Sequence, residues 1–199
     1  NNFSILARFD ITNPENNYRA LAGDPVNITW DYNSTGVDYV ILEYCTEATP
    51  INWINIYNAS DPNATVDNIG TYYWSSVPGD TLSTTSRVRV RDPGHINGSN
   101  MSSPPFTIRG KIITSQPDGS VVKQVGENMT INWTRQGNIQ YVKIEYSWDG
   151  GTSWKTVNGS VPAGSMPYIW TIPLNETTTV TGKINITHTA NNQTYNESA

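Results

Sequence analysis

The chain has 199 residues, enough for two domains of about 100 residues each, the size at which a β-sandwich buries a workable core. Charged residues make up 15% and the net charge is −5, without the clustered lysines and arginines that binding to a phosphate backbone requires, so we expect no nucleic-acid partner. No run of 18 apolar residues and no cleavable signal segment occurs, so we expect no membrane span and a mature form of the protein.

Segments with the alternation of a β-strand recur along the chain in one fixed order. In the first half they lie at residues 27–30, 39–44, 73–74 and 87–90. In the second half the same patterns return at residues 130–133, 141–146, 169–170 and 183–186. A chain that repeats its strand pattern in this way consists of two similar domains.

The pattern predicts an all-β protein of two tandem immunoglobulin-like β-sandwich domains. Valine, isoleucine, threonine, tyrosine and tryptophan dominate the alternating segments, and no window shows the apolar spacing of an amphipathic helix. Three tryptophans stand at matching positions of each repeat, and we expect them to fill the cores rather than to form an exposed sugar-binding platform. They are Trp30, Trp53 and Trp74 in the first repeat and Trp133, Trp154 and Trp170 in the second.

The points at which the repeated pattern begins and ends indicate the domain organisation. Residues 106–117 join the last strand of the first domain to the first strand of the second, and they align without a gap with residues 3–14. At the other end, residues 183–199 align with residues 87–103, and the strand that follows in the first domain has no counterpart in the second. We therefore predict a donor strand at residues 1–7, a first domain at residues 8–109, and a second domain at residues 110–199 that lacks its last strand.

A sandwich without its last strand exposes an unpaired edge and an uncovered strip of core. We expect the N-terminal strand of another copy to fill that edge by donor strand complementation. The donor residues are Phe3, Ser4, Ile5, Leu6 and Ala7, with Phe3 and Ile5 directed inward by the pleat. Because donor and acceptor are at opposite ends, repetition of the contact gives an open head-to-tail polymer of identical subunits.

Two other functions stay open at this point. In the first, the chain is a fragment of a multidomain adhesin or surface-layer glycoprotein. The 199 residues are then a window cut from a longer tandem array, and the place at which the repeat is cut has no functional meaning. A carbohydrate-binding or enzyme accessory module requires instead a polar cleft lined by exposed tryptophans.

Asn-x-Ser/Thr sequons occur fourteen times, where the composition yields roughly five by chance. Asn27 and Asn132 fall on the polar face of their strands, which is the face from which a glycan can grow. We therefore expect an N-glycosylated extracellular protein at the cell surface. The predicted glycosylation sites are Asn2, Asn27, Asn33, Asn58, Asn63, Asn97, Asn100, Asn128, Asn132, Asn158, Asn175, Asn185, Asn192 and Asn196.

Residues that carry chemistry are few. Cys45 is the only cysteine, and we expect it to be a small residue at a strand end, the alternative being a bond to another chain. His95 and His188 are the only histidines, and the repeat does not bring them together. We expect no catalytic site, no metal site and no cofactor, apart from covalent glycans.

Residues 147–154 read Ser-Trp-Asp-Gly-Gly-Thr-Ser-Trp and resemble the Asp-box of sialidases and related β-proteins, where the motif is a folding element. The resemblance implies that Asp149 caps the turn, that the glycines take positive φ, and that Trp154 lies beneath. Between Glu47 and Trp53 the first repeat departs from this pattern.

The architecture and the sequon density resemble, over the whole chain, the thread-type surface filaments of thermoacidophilic archaea. Their glycosylated subunits are joined by donor strands and are analogous to bacterial chaperone-usher pilins. The resemblance implies an archaeal pilus subunit in which Phe3 to Ala7 are the donor and the open edge of the second domain is the acceptor. It also implies a role in cell adhesion or cell-cell contact, with the surface ligand left open.

Overall fold

The computed structural model describes residues 3–33, 36–95, 97–102 and 104–198. Its contacts divide the chain into two compact units, Asn1–Arg109 and Gly110–Ala199, which we call unit 1 and unit 2. The described residues form strands, turns and loops and contain no helix. Within these ranges there is consequently no helix that could cross a membrane.

The described residues of unit 1 form two sheets. Their strands are β1 (Phe9–Asn13), β2 (Arg19–Leu21), β3 (Val26–Tyr32), β4 (Tyr39–Cys45), β5 (Ile54–Asn55), β6 (Val66–Asp67), β7 (Thr71–Trp74), β8 (Ser83–Arg91), β9 (Ser99–Met101) and β10 (Phe106–Arg109). One sheet has the order β1-β3-β7, and the other has the order β2-β10-β8-β4-β5 with β6 beside β4 and β9 beside β8. These strand orders are those of an immunoglobulin-like sandwich.

The core of unit 1 lies between these sheets and follows the strand alternation. Val26, Ile28 and Trp30 of β3 are buried, whereas Asn27 between them is exposed. The Trp30 Nε1–H donates to Oδ1 of Asn68 at 2.9 Å, so the buried indole has a partner. The period of two along β3 therefore sets which side chains enter the core.

Unit 2 repeats the arrangement with fewer described strands. They are β11 (Lys111–Gln116), β12 (Asn128–Gln136), β13 (Tyr141–Ser147), β14 (Lys155–Pro162), β15 (Tyr168–Thr171), β16 (Lys183–His188) and β17 (Asn191–Glu197). The sheets have the orders β11-β12-β15 and β14-β13-β16-β17. The prediction of an all-β protein with two tandem sandwich domains is confirmed.

The matched tryptophans are less uniform than predicted. Trp30, Trp74 and Trp133 are buried, and Trp170 is half-buried against Tyr146 with ring centroids 5.0 Å apart. The prediction that all six fill the cores is wrong for Trp53 and Trp154, which are half-buried outside the strands. Trp53 lies under the guanidinium of Arg89, 4.2 Å from the ring centroid, and Arg89 is on the outward face of β8.

Candidate functional site

The last strand of unit 1 closes both its sheet and its core. β10 runs antiparallel to β8, with Phe106 opposite Ser86, and parallel to β2, with Ile108 opposite Ala20. The side chains of Phe106 and Ile108 are each 1% exposed and belong to the hydrophobic core. Unit 1 thus shows what this strand position contributes when it is filled.

No strand occupies the corresponding position among the described residues of unit 2. Residues 121–125, the counterpart of β2 and its flanks, lie outside strands. Residues 179–182, the counterpart of the first residues of β8, also lie outside strands, so β16 has 6 residues where β8 has 9. We call the gap between residues 121–125 and residues 179–182 the open edge.

Residues 179–182 nevertheless make side-chain hydrogen bonds that correspond to those of residues 83–86 in unit 1. Thr179 Oγ1 donates to the carbonyl of Trp148 at 2.6 Å and accepts the N–H of Thr181 at 2.9 Å. In unit 1, Ser83 Oγ likewise donates to the carbonyl of Thr46 at 2.6 Å and accepts a backbone N–H two residues on at 3.0 Å. One side of the open edge therefore keeps side-chain hydrogen bonds of its counterpart in unit 1.

Two residues of unit 2 are more exposed than their buried counterparts in unit 1. Val125 is 40% exposed, whereas its counterpart Ala22 in unit 1 is 1% exposed. Trp170 is half-buried, whereas its counterpart Trp74 is buried. Exposed apolar surface along an unpaired sheet edge favours pairing with an added strand.

Four of the five predicted donor residues are exposed, and none of the five lies in a strand. Residues 3–8 form no strand, and the side chains of Phe3 and Ile5 are each 85% exposed. Leu6 and Ser4 are exposed as well, while Ala7 packs against the core of unit 1. Two large apolar side chains at alternate positions are thus presented to solvent by a segment without a partner strand.

The predicted glycosylation sites differ in accessibility. Asn2 lies outside the described residues. The exposed asparagines are Asn27, Asn33, Asn58, Asn63, Asn97, Asn128, Asn175 and Asn192, and the half-buried ones are Asn100, Asn132, Asn158, Asn185 and Asn196. None of these described sequon asparagines is fully buried. Their modification stays a prediction.

Two half-buried sequon asparagines make the same bond in both units. Asn100 Oδ1 on β9 accepts the N–H of Ile11 on β1 at 3.3 Å. Asn196 Oδ1 on β17 accepts the N–H of Thr114 on β11 at 2.8 Å. Each bond joins the two sheets of its sandwich, and we call it the sheet clasp. The sequon asparagine has a structural role here that sequence reasoning missed.

The turn of the Asp-box is organised as the resemblance implies. Asp149 Oδ1 accepts the N–H of Ser153 and the hydroxyl of Ser147, both at 2.8 Å. Gly150 and Gly151 have φ of 74° and 101°, which favours glycine. The backbone hydrogen bond from Ser153 is the main cause that lowers the pKa of Asp149.

Unit 1 reaches a similar turn with different residues. Glu47 Oε2 accepts the N–H groups of Ile51 and Asn52, both at 3.1 Å, and the side-chain amide of Asn52 is the main cause that lowers the pKa of Glu47. Cys45 Sγ, buried at the end of β4, accepts the N–H of Glu47 at 3.4 Å. Cys45 and Glu47 thus take the places of the first serine and the aspartate of the motif.

Groups suited to chemistry are dispersed. The described residues contain no cluster of three or more His, Cys, Asp or Glu side chains that could hold a metal ion. His95 is exposed, with Nδ1 3.3 Å from Oδ2 of Asp92. His188 is buried in unit 2, and its Nδ1 has no hydrogen-bond partner among the described residues. Burial lowers the pKa of His188.

One shallow groove of unit 1 bears on the sugar-binding alternative. It is lined by Pro50, Trp53, Arg89, Ser99, Asn100 and Met101. The guanidinium of Arg89 covers the Trp53 ring and is held by Glu43, with a closest N–O distance of 2.6 Å. The covered ring face is therefore not presented to a sugar.

The strand orders define a tandem of two immunoglobulin-like sandwich domains. No protein-family model matches the chain, and the search of curated proteins found no match. Among solved structures, the chain is similar to fibronectin(III)-like modules of CbhA from Clostridium thermocellum, at 18% identity over 89% of this chain and 82% of that chain, with a TM-score of 0.27. It is also similar to a chimeric titin Z1Z2-Z1Z2 tandem functionalized with a GRGDS peptide from fibronectin, at 14% identity over 96% of this chain and 95% of that chain, with a TM-score of 0.29. Because both TM-scores are low, the fold assignment rests on the strand orders.

Proposed function

We propose that the protein is the structural subunit of a glycosylated extracellular filament that polymerises head to tail by donor strand complementation and serves adhesion or cell-cell contact. The observation that carries this proposal is the open edge of unit 2, together with residues 3–7, which are exposed except for Ala7 and have the sequence pattern of β10. Sandwich domains of this class occur in many cell-surface proteins.

Unit 1 supplies the expected register of the added strand. Phe106 lies opposite Ser86 on β8, and the second core residue of β10 lies opposite a residue three positions earlier on β8. The gapless alignments place Phe3 at the position of Phe106 and Gly182 at the position of Ser86. We therefore expect Phe3 of the donor copy to lie opposite Gly182 of the acceptor copy, and Ile5 three residues earlier on the same segment.

The surroundings of Gly182 suit a phenyl ring. In unit 1, Phe106 shares a core with Tyr44 and Trp74, whose ring centroids are 5.1 Å apart. Unit 2 contains the same tilted pair, Tyr146 and Trp170, at 5.0 Å. A Cβ placed on Gly182 itself is 3.2 Å from Thr179 Cγ2 and 3.6 Å from the Tyr146 ring, so this position lies beside the aromatic pair.

Burial of two donor side chains supplies the driving force. Phe3 and Ile5 go from largely exposed to the buried state of Phe106 and Ile108, which stabilises the contact by about 1.5–3 kcal/mol for each side chain. Backbone hydrogen bonds to both sides of the open edge add modestly and set the register. Because the donor belongs to unit 1 and the acceptor to unit 2, the contact between copies is heterologous and generates an open polymer.

The donor strand is tested by Phe3→Asp, with Ile51→Asp as the matched control at an exposed isoleucine outside the donor segment. We expect Phe3→Asp to abolish polymers, because a charge cannot enter the core, and Ile51→Asp to leave them intact. Electron cryo-microscopy of native material then locates residues 3–7. Polymers of normal length from Phe3→Asp, or density for residues 3–7 away from a neighbouring unit 2, contradict the proposal and favour the adhesin fragment.

The acceptor is tested separately by adding a second copy of residues 1–7 after Ala199. Three residues then separate Ser198 from the added phenylalanine, as three residues separate Ser102 from Phe106 in unit 1. We expect this self-complemented protein to be monomeric and to have a more stable unit 2 by thermal unfolding. A protein that still polymerises, or that gains no stability, shows that the open edge does not accept this strand.

A further inference from the structure

Exposed apolar side chains lie at and near the two segments that bound the open edge. Leu174, in the loop after β15, is 81% exposed and lies over Gly126, where an added Cβ would be 2.9 Å from Leu174 Cδ2. Val122 and Val180 are almost fully exposed. Residues 179–182 include neither a charge nor a proline, which are the usual protections of a sheet edge. An unassembled subunit therefore has an edge at risk of non-specific pairing.

A sequon stands next to this edge. Asn175 follows Leu174 directly, its side chain is exposed, and it makes no hydrogen bond among the described residues. The rest of the sequon is anchored, because Glu176 Oε1 lies 2.5 Å from Lys155 Nζ and the carbonyl of Thr177 accepts the Tyr146 hydroxyl at 3.4 Å. The loop thus holds Asn175 in place while its amide stays accessible.

Unit 1 provides the internal comparison. Its corresponding loop, residues 78–82, reads Pro-Gly-Asp-Thr-Leu and contains no sequon. In unit 1 the edge beside that loop is covered by β10. The sequon is therefore present beside the edge that lacks a strand and absent beside the edge that has one.

We propose that an N-glycan on Asn175 screens the open edge of an unassembled subunit and prevents edge-to-edge aggregation before the donor strand arrives. The inference rests on the proposed function, since it requires both glycosylation and a vacant acceptor. In the modification, Nδ2 of Asn175 bonds to the anomeric carbon of a polyprenyl-phosphate-linked oligosaccharide, loses one proton, and displaces the lipid phosphate. The attached oligosaccharide is hydrophilic and bulky, so it hinders approach of a second sheet edge, while a single extended strand can still enter beneath it.

The test uses Phe3→Asp protein from a glycosylating host, so that assembly does not compete with aggregation. Asn175→Gln is compared with Asn58→Gln, an exposed loop sequon of unit 1 that is remote in sequence from the open edge. We expect mass spectrometry of peptides to find glycan on Asn175, and light scattering to show several-fold faster aggregation for Asn175→Gln than for Asn58→Gln. Thr177→Ala, which removes the sequon, should behave like Asn175→Gln, and Thr177→Ser, which keeps it, should not.

A second host separates the glycan from the side chain. In unglycosylated bacterial protein, Asn175→Gln and its parent should aggregate at the same rate, because neither carries a glycan. Three results overturn the inference and leave the donor-strand proposal intact. They are an Asn175 without glycan, equal aggregation of the two glutamine variants in the glycosylating host, and a difference between Asn175→Gln and its parent that persists in bacterial protein. Polymers formed by the Phe3→Asp parent overturn both.

Discussion

The sheet clasp permits a stability prediction that does not depend on glycans or on assembly. Asn196→Ala removes the acceptor for the Thr114 N–H, a bond of 2.8 Å between two half-buried strands. A backbone N–H left without its partner costs about 1–3 kcal/mol, with partial access to water lowering the value, so we expect a loss of about 1–2 kcal/mol. The bond from the Thr114 hydroxyl to the Asn196 carbonyl is retained, because it uses the backbone. The equivalent bond of Asn100 is 3.3 Å, and Asn100→Ala should cost less, about 0.5–1 kcal/mol.

The assay is urea unfolding of unglycosylated bacterial protein. Asn196→Ala should lower the transition of unit 2 and Asn100→Ala that of unit 1, since each clasp lies within one unit. Asn196→Asp keeps an acceptor oxygen and should retain most of the stability, while Asn192→Ala, at an exposed sequon on the same strand, should be nearly neutral. Two results would refute a stabilising role of the sheet clasp. One is an equal loss of stability in Asn196→Ala and Asn192→Ala, and the other is an equal loss in Asn196→Ala and Asn196→Asp.

Three further predictions concern buried polar groups. Burial lowers the pKa of His188 below its ordinary 6.5, so the unfolded state binds more protons and unit 2 should lose stability as the pH falls below about 6.5. His188→Gln should remove this part of the pH dependence of the urea midpoint. A pH profile that is unchanged in His188→Gln would contradict the prediction. Cys45→Ser copies the serine of unit 2 and should change the unfolding free energy by less than about 1 kcal/mol. Ser147→Ala removes an acceptor of two N–H groups and should lower the unfolding free energy by about 1–3 kcal/mol. If calorimetry finds the larger loss for Cys45→Ser, the two turns are not equivalent. Trp30→Phe leaves the buried Asn68 Oδ1 without its donor and should destabilise unit 1 by about 1–3 kcal/mol in urea, and a neutral effect would mean that water replaces the indole.

The sequence alone determined the features that depend on local alternation. Because strand side chains point to opposite faces at a period of two, the order Asn27-Ile28-Thr29-Trp30 already indicates which residues enter the core. The repeated pattern extends along the whole chain and therefore predicts two sandwiches. It also predicts that the second sandwich lacks its last strand. The same comparison matches Phe3 and Ile5 to the buried pair of β10, and their role as a donor strand stays a prediction.

The tertiary structure decided the features that the strand pattern and the motif letters do not encode. Trp53 and Trp154 match each other in the repeat, as the other two tryptophan pairs do, yet both lie outside the strands. Burial depends on which elements surround a side chain and not on its type alone. The pairing of Cys45 with Glu47 was hidden, since a thiol and a longer carboxylate do not match the letters of an Asp-box. The sheet clasp was hidden for a different reason, which is separation along the chain. Its partners, such as Asn196 and Thr114, are 82 residues apart and meet only when the two sheets have packed together.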